Sequence, residues 1–509
     1  MLEQLKTIFL YHEDSPMLFS SFFFWGFFFI VYLFYSLLYK KNNWRNIYLF
    51  VVSLFFYYKS GGYFFSLLII STLVDYSMGL LIGKSSSSLK KKIYLIISVI
   101  LNLSLLFYFK YSYFIIDTIN QLFHTNFKVV NLLAEWTNAI AGTNFNVSDI
   151  ILPVGISFYT FQSLSYTIDV YRGKLQPVKS IIDFGFFVSF FPQLVAGPIV
   201  RASEFIPQLI QKYKLTKQQF GHAVFLILNG LLKKMVISDF ISINFVDRIF
   251  EDPLAYTGFE NLMGAYAYAI QIYCDFSGYT DIAIGIALLL GFTLPLNFNS
   301  PYKATNITDF WRRWHISLST WLKDYLYISL GGNKKGRIRT YVNLLITMLL
   351  GGLWHGASIK FIIWGGLHGV ALMFHKIWLK ISPFKKIKST LLNKTGKIIA
   401  LIITFHFVVL TWIYFRATDI DSINIMFRKI FYDFQWNMVP EIIESYAMVF
   451  GLLLIAFIIH WLPASFKENY RGIFIKSSII VKALIVVIVV FIIMQFKTSA
   501  LQPFIYFQF

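Results

Sequence analysis

Charged residues and cysteines are both scarce in this chain. Only 14% of its 509 residues are charged, whereas ordinary soluble domains carry roughly 25%. A soluble protein of this length must cover its surface with polar groups, so a soluble globular enzyme and a disordered chain are excluded. The single cysteine, Cys274, excludes an internal disulfide and a thiolate metal cage, and we expect no metal site. With 57% apolar residues, the chain is predicted to be one large all-α polytopic membrane protein.

Acidic residues are scarcer than basic residues in this chain. The chain has 25 acidic and 45 basic residues, for a net charge of +20, and in a soluble protein such an excess would point to nucleic acid. Here the basic residues gather in the short gaps between apolar runs, as the positive-inside rule and an anionic cytoplasmic leaflet predict. We therefore expect contact with membrane lipids and no nucleic-acid partner.

Long uncharged runs predict the membrane-spanning segments. The first, Ser15 to Tyr39, has 25 consecutive uncharged residues, and a bilayer core of ~30 Å needs ~20 residues of helix. Acidic residues precede this anchor and lysines follow it, so the N-terminus is expected outside the cytoplasm. Further runs lie at about 45–58, 63–83, 92–112, 150–169, 218–236, 259–290, 397–416, 445–463 and 478–496.

The charges in the gaps indicate which side of the membrane each gap faces. The lysines at 90–92 predict a cytoplasmic gap, whereas the carboxylates of Asp239, Asp247, Glu251 and Asp252 predict an outer loop. Ten full crossings from an outside start would return the C-terminus to the outside. We expect a single domain of three parts, namely N-terminal helices, a core with re-entrant segments and C-terminal helices, over residues 1–112, 150–380 and 397–509.

One uncharged stretch contains residues that interrupt a helix. Between Asp183 and Arg201 lie Pro192 and the pair Gly197-Pro198, and proline removes an amide donor and disfavours helix at the residue before it. Irregular backbone at membrane depth survives only inside protein or against a wet cavity. This stretch is therefore predicted to be re-entrant.

A second stretch is too long to be one crossing. As a single helix, residues 341–379 would measure ~58 Å, about twice the membrane core, and both flanks are basic. We expect this stretch to enter the membrane, turn near Gly351–Ser358 and return.

His355 lies in that predicted turn, beside Trp354. A helix that starts at Tyr341 rises ~21 Å by His355, which places the imidazole deep in the bilayer. An ionisable group inside the membrane is a functional hypothesis by default, and an uncharged imidazole is what a general base requires. The alternative is a structural histidine that bonds a carbonyl group freed at the broken helix.

A second histidine, His315, ends the run Trp311-Arg312-Arg313-Trp314-His315. Aromatic, guanidinium and hydroxyl groups alternate here in a predicted cytoplasmic loop. The two arginines can grip phosphates through bidentate hydrogen bonds. Equally, they can obey the positive-inside rule and extend toward lipid headgroups.

Two carboxylates, Asp275 and Asp281, interrupt an otherwise apolar stretch. Six residues apart, they would not share one face of a continuous helix, so an acid pair requires a break at Gly278. The carboxylates either orient a histidine or arginine or bond amides freed at a broken helix, and the second role is the prediction. A transporter would instead use them as proton relays.

Eight motifs follow one another in a specific order, at Pro153–Gln162, Pro192–Pro198, Gly230–Lys234, Asp275–Asp281, Asn297–Leu330, Gly351–Gly369, Trp412–Ala417 and Pro503–Phe509. In this order they resemble the membrane-bound O-acyltransferase (MBOAT) superfamily. The similarity is to its AlgI-like branch, which includes alginate O-acetylation proteins and peptidoglycan O-acetyltransferases of the PatA type. It extends over most of the chain from about residue 20.

This resemblance implies a fold of about 10–12 transmembrane or re-entrant helices around a central tunnel. It implies that His355 is the catalytic histidine, that His315 is the second and more variable polar position, and that Cys274 is no catalytic thiol. Donor or substrate binding is expected from Asn306, Trp311, Arg312, Arg313, Trp314, Ser317 and Trp354. Lining or support of the tunnel is expected from Gln162, Gln193, Pro198, Asp275, Ser277 and Asp281.

The implied activity is O-acetyl transfer from a cytoplasmic thioester, expected to be acetyl-CoA, to an extracytoplasmic glycan. No tightly bound cofactor is expected, and the resemblance implies a periplasmic SGNH-type acetyltransferase as partner and the bacterial inner membrane as location. A composition rich in Phe, Ile, Lys and Asn favours peptidoglycan over alginate as the acceptor.

Two alternatives remain open at the level of sequence. One is D-alanyl transfer to teichoic acids, a related chemistry fed by a carrier-protein thioester. The other is a channel or transporter whose ion path runs through Asp275 and Asp281. The length of the chain, the Gly197-Pro198 segment and the Phe-Gln-Phe ending favour the acetyl branch.

Overall fold

The computed structural model of the protein describes residues 9–12, 16–142, 146–195, 197–381, 390–496 and 504–505. The regular secondary structure of these residues is helical. The acidic residues Glu13 and Asp14, the lysines at 385–386 and all of the Pro503–Phe509 motif except Phe504 and Ile505 lie outside the described residues.

The helices of the N-terminal part are α1 (Phe22–Leu38), α2 (Asn42–Gly61), α3 (Phe65–Lys84), α4 (Ser88–Phe123) and α5 (Leu132–Ala141). The central helices are α6 (Ile156–Tyr171), α7 (Ile181–Ser189), α8 (Phe191–Leu194), α9 (Ala202–Leu209), α10 (Lys217–Leu231), α11 (Asp239–Ile241), α12 (Asp247–Glu251), α13 (Gly258–Leu289), α14 (Ile307–Arg313), α15 (Ile316–Trp321), α16 (Arg337–His355) and α17 (Ile359–Ile381). The remaining helices are α18 (Thr390–Arg416), α19 (Ile420–Tyr432), α20 (Val439–Ser445), α21 (Ala447–Trp461), α22 (Ala464–Lys476) and α23 (Ile479–Phe496). Wider π-helical turns fill Leu232–Ser238, Ser242–Val246 and Leu322–Tyr327.

Fewer segments can cross a membrane than the uncharged runs predict. Within the described residues, six helical segments are long and apolar enough, namely Asn42–Lys84, Ser88–Phe123, Gly258–Leu289, Ile359–Ile381, Lys394–Arg416 and Ile479–Phe496. A seventh is added if Trp436–Ser445 and Ala447–Trp461, bent by 88°, count as one span. The prediction of ten full crossings is therefore wrong by this measure, because several apolar runs form helices shorter than the ~20 residues a bilayer core needs.

One of these short helices lies in the protein interior instead. The run at 150–169 becomes the 16-residue α6, whose side chains are nearly all buried. The run at 218–236 becomes α10, of which seven residues are buried, and the π-helical turn that continues it to Ser238. The first anchor is also shorter than predicted, because Ser21 caps α1 by accepting a hydrogen bond from the Phe24 amide at 3.2 Å.

The long helix α13 is continuous through Gly278, so the predicted break there is wrong. Gly278 serves close packing instead: a Cβ added to it would lie 2.7 Å from the Gly230 carbonyl oxygen of α10. Small residues at such a crossing let two backbones approach, as is common between membrane helices.

The carboxylates of α13 pair with lysines from the π-helical turn that follows α10. Lys234 Nζ lies 2.5 Å from Asp275 Oδ1 and 2.9 Å from Asp239 Oδ1, and Lys233 Nζ lies 2.8 Å from Asp281 Oδ2. Helical turns continue from α10 through Asp239 to Glu251, so the predicted acidic outer loop is wrong. Two of its four carboxylates pair with cations, Asp239 with Lys234 at 2.9 Å and Asp247 with Arg416 at 2.6 Å, and the other two are exposed.

The two interrupted stretches are built as the sequence predicts. Within 183–201 the helix breaks at Phe190, between α7 and α8, and the irregular backbone is buried in protein, where Ser53 Oγ accepts from the Phe191 amide at 3.2 Å. The second stretch is a helical hairpin: α16 ends at His355, Gly356–Ser358 make the turn, and α17 returns against α16.

Glycines allow the two helices of this hairpin to touch. We expect Gly365→Ala to lower the free energy of unfolding by about 1–3 kcal/mol, because its new Cβ would lie 2.3 Å from the Met348 carbonyl oxygen. The neighbouring Gly366→Ala is the matched control, since its Cβ would meet only Leu349 Cδ2 at 3.4 Å and alanine favours a helix. Thermal unfolding in detergent measures both, and equal stabilities would contradict the packing described.

Candidate active site

His355 is the last residue of α16, and its side chain lies in the interior. The ring centroid lies 5.0 Å from that of Trp354, 5.2 Å from that of Trp364 on α17 and 5.2 Å from that of Phe415 on α18. The residue is only 4% exposed. The hairpin therefore carries the imidazole to the end of a helix inside the protein, as the sequence predicts.

The end of α16 is held by two residues of α4. Lys110 Nζ donates to the carbonyl oxygens of Trp354 at 2.7 Å and His355 at 3.0 Å, and the Tyr111 hydroxyl donates to that of Leu353 at 2.9 Å. The last carbonyls of a helix have no partner within the helix, and a cation there also complements the helix dipole. Sequence reasoning missed Lys110, although a lysine inside the apolar run at 92–112 is the signal that could have found it.

A small cavity lies against His355. Its volume is about 70 Å³, and its lining residues come from α4, the segment before α6, α6 itself, the interrupted stretch and α16: Lys110, Leu152, Pro153, Val154, Gly155, Ile156, Ser157, Phe158, Val195, Trp354 and His355. Since water takes ~30 Å³ per molecule in the liquid, the cavity holds about two waters or a group of similar size. An acyl group of two carbons fits this space.

His315 also contacts Trp354. Its ring centroid is 6.1 Å from that of Trp354 and 4.6 Å from that of Phe276 on α13, and the side chain is fully buried. The indole of Trp354 thus contacts both candidate histidines. The structure brings His315 and His355 to one place although forty residues separate them in the chain.

The backbone at His315 has an unusual left-handed conformation, with φ at 43°. A buried hydrogen-bond network fixes it. Asn297 Oδ1 accepts from the Ser317 amide at 3.1 Å and from the Ser317 hydroxyl at 2.7 Å, and Ser317 Oγ accepts from the Ile199 amide at 3.0 Å. Ser317 is therefore a structural neighbour of His315, and Asn297 is a residue whose role sequence reasoning did not single out.

A column of aromatic rings runs from His355 toward a basic surface. The rings of Trp354 and Phe161 stack at 5.3 Å, Phe161 and Trp321 at 3.9 Å, and Trp321 and Tyr325 follow at 5.1 Å. The Tyr325 ring lies between two guanidinium groups. Arg172 lies 5.4 Å and Arg201 5.5 Å from the ring centroid.

Most of the remaining residues of the 306–314 run pack against other side chains or cap a helix, and they do not line the cavity. Trp311 and Trp314 contact Trp364 and Trp412 at 5.8 and 5.0 Å, and Asn306 caps α14 by accepting from the Asp309 amide at 2.8 Å. Arg313 pairs with Asp309 at 2.9 Å, and Arg312 is exposed.

The predicted tunnel residues lie at different places, and all except the half-buried Asp281 are buried. Gln162 lies on α6, and Gln193 donates to the Phe187 carbonyl at 2.6 Å within the interrupted stretch that ends near Pro198. Ser277 lies on α13 between the two paired carboxylates. Asp275 also accepts from the Ile505 amide at 2.9 Å, so one of its partners is a backbone amide of the C-terminal segment and not of a broken helix.

Comparison with known proteins gives consistent matches. Residues 69–416 match the model of the MBOAT, membrane-bound O-acyltransferase family. A probable alginate O-acetylase AlgI of Pseudomonas putida is 36% identical over 463 residues, which cover 86% of this chain and 89% of the relative. A peptidoglycan O-acetyltransferase of Helicobacter pylori is 39% identical over 378 residues (69% and 67%), and a teichoic acid D-alanyltransferase of Bacillus subtilis is 31% identical over 270 residues (50% and 66%).

The left-handed backbone at His315 predicts a difference between two substitutions that both remove the imidazole. Asparagine tolerates this conformation, whereas a β-branched residue is strongly disfavoured there. We expect His315→Val to be less stable than His315→Asn by about 1–2 kcal/mol. Thermal unfolding in detergent compares the two proteins, and a valine variant as stable as the asparagine variant would refute the conformation.

Proposed function

Because the chain belongs to the membrane-bound O-acyltransferase family, which makes it a multi-pass membrane enzyme that uses an acyl donor, we propose that it transfers acetyl from a thioester to a glycan hydroxyl. The observation that carries the proposal is the 70 Å³ cavity with His355 in its wall. It offers an imidazole and room for a two-carbon acyl group inside the protein.

His355 acts as the general base in this proposal. Its imidazole takes the proton of the acceptor hydroxyl as that oxygen attacks the thioester carbonyl carbon. When the carbon–sulfur bond breaks, the same proton passes to the leaving thiolate. His315, whose ring contacts Trp354, orients the donor or supports the carbonyl oxygen. The aromatic column and the arginines beside Tyr325 support entry of an anionic donor, with acetyl-CoA as the proposed one.

The cavity supports acetyl over D-alanyl as the transferred group. A D-alanyl thioester brings an ammonium group next to the reacting carbonyl, and the Lys110 ammonium is already part of the cavity wall. Two like charges that share one small cavity repel each other. Acetyl carries no charge and meets no such repulsion.

The proposed acceptor is an extracytoplasmic polysaccharide of the kinds for which the relatives are named, and composition favours peptidoglycan over alginate. We further propose that both termini lie outside the cytoplasm and that a periplasmic SGNH-type acetyltransferase cooperates with this chain. The core of the enzyme would then be residues 150–380.

The buried ion pairs weigh against a transporter. Asp275 and Asp281 are the carboxylates that an ion path would need, and each is bound to a lysine at 2.5 and 2.8 Å. Breaking such a buried pair costs about 3–5 kcal/mol, so the two groups serve packing better than ion relay.

The proposal predicts the effect of removing the imidazole. In a strain that lacks the native gene, wild-type protein should restore O-acetyl groups on muropeptides, and His355→Gln at equal expression should restore none, because the general base is gone. His368→Gln is the matched control: this buried histidine on α17 lies 3.1 Å from Thr411 Oγ1, and its variant should keep at least about a third of the activity. Mass spectrometry of muropeptides provides the readout. Full O-acetylation with His355→Gln would remove that residue from the mechanism, and unchanged O-acetylation in the deletion strain would exclude peptidoglycan as the acceptor.

The size of the cavity predicts the choice of acyl chain. Wild-type protein should prefer acetyl-CoA over propionyl-CoA by at least about tenfold, the usual discrimination for one methylene. Val195→Ala should narrow that preference, because Val195 lines the cavity. Val200→Ala, an equal truncation at a buried residue outside the lining, should leave it as it is. The ratio of kcat/KM for the two donors measures the effect, and identical ratios in all three proteins would contradict the assignment of the cavity.

A further inference from the structure

Lys110 is a cation in the interior of a membrane protein. It lies on α4, a candidate membrane span. Among the described residues its ammonium donates to the two carbonyl oxygens at the end of α16 and lies 5.9 Å from the centroid of the Trp354 ring. Within the described residues no carboxylate lies within ion-pair distance of it. A charge at such a position is costly and is a functional hypothesis by default.

The depth of Lys110 along α4 matches the depth of His355 along α16. Nineteen residues separate Lys91 from Lys110, and eighteen separate Arg337 from His355. These separations correspond to about 28 and 27 Å of helix. Both helices begin with basic residues. Measured along the helices from these residues, the Lys110 ammonium and the His355 imidazole therefore lie at about the same depth.

Capping of the helix does not by itself require a positive charge. Tyr111, the next residue of α4, makes the same kind of bond to the Leu353 carbonyl with a neutral hydroxyl. A neutral donor avoids the cost of burying an ion. The bonds to Trp354 and His355 therefore do not by themselves explain why this donor is a charged ammonium, and we infer a second role for it.

The geometry of the ammonium leaves one donor for that role. A lysine ammonium has three N–H groups, and two of them are used by the carbonyl oxygens of Trp354 and His355. Lys110 also belongs to the lining of the 70 Å³ cavity that contains His355. The third N–H is therefore available to a group inside that cavity.

We propose that Lys110 is a second catalytic residue, whose third N–H donates to the thioester carbonyl oxygen and stabilises the oxyanion that forms there; this inference rests on the function proposed above. The acceptor oxygen forms a bond to the carbonyl carbon, and His355 takes the hydroxyl proton. The carbonyl π electrons move to the oxygen beside Lys110. When the carbonyl re-forms, the carbon–sulfur bond breaks and the thiolate takes the proton from His355.

Replacement of Lys110 with a neutral side chain of similar length tests the proposal. We expect Lys110→Met to lower kcat by about 10²–10³, the usual cost of losing an oxyanion donor, with little change in KM. Tyr111→Phe is the matched control, because it removes a bond to the same helix end without touching the cavity, and should lower kcat by no more than about threefold. The assay follows release of free thiol from acetyl-CoA by purified protein in detergent with muropeptides as acceptor.

A second measurement separates contact with the oxyanion from support of the helix. Acetyldithio-CoA replaces the carbonyl oxygen by sulfur, which is a weak hydrogen-bond acceptor. The wild-type preference for oxygen over sulfur should fall at least about tenfold in Lys110→Met, because the donor that senses this atom is gone. A merely structural role would lower both rates together and leave the ratio unchanged, which would overturn the proposal.

Two further outcomes are decisive. If Lys110→Met does not fold, Lys110→Gln replaces it, since its amide can donate to the same carbonyl oxygens, and its oxygen-to-sulfur ratio must again fall for the proposal to stand. A wild-type kcat in either folded variant would overturn the proposed role of Lys110 and would leave the function proposed above untouched. Absence of thiol release by wild-type protein, with the cooperating periplasmic acetyltransferase added, would instead overturn the proposed donor, so the two failures are distinguishable.

Discussion

The structure depends on a helix that ends inside the protein. A helix terminus leaves carbonyl oxygens without partners, and at membrane depth no bulk water supplies them. Here α16 ends at His355, and Lys110 and Tyr111 of α4 supply the missing donors. Because these carbonyl oxygens have partners, α16 can end at the polar residue His355, whose side chain is surrounded by aromatic rings. This helix end also forces the chain to turn at once into α17.

Buried cations in this protein are held in two ways. The lysines of the π-helical turn after α10 meet the carboxylates of α13, and the close approach of α10 and α13 at Gly230 and Gly278 brings these groups within bonding distance. Pairing offsets part of the cost of desolvating two ions. Lys110, like the buried Arg45 and Lys482, donates to backbone carbonyl oxygens instead, and it differs from these two in lining the cavity beside His355.

The candidate site combines a small cavity with a column of packed aromatic rings. Trp354 touches both histidines, and its ring continues through Phe161 and Trp321 to Tyr325. Such rings present flat apolar surface with little loss of conformational freedom. The cavity at the end of the column has room for a two-carbon group, so the shape of the interior agrees with the acyl chemistry of the family.

Local features of the sequence determined the membrane class, the α16–α17 hairpin and the position of His355 at its turn, because run length, glycine and proline act on their own neighbourhood. The start and end of α13 also agree with the predicted apolar run at 259–290 to within one residue. The number of spans, the continuity of α13 at Gly278 and the pairing of Asp275 with Lys234 were decided by tertiary packing. The contact of Lys110 with the end of α16 joins residues 245 positions apart. No local pattern encodes such a contact, since it exists only once α4 and α16 are packed side by side and the uncapped carbonyls of one meet the ammonium of the other.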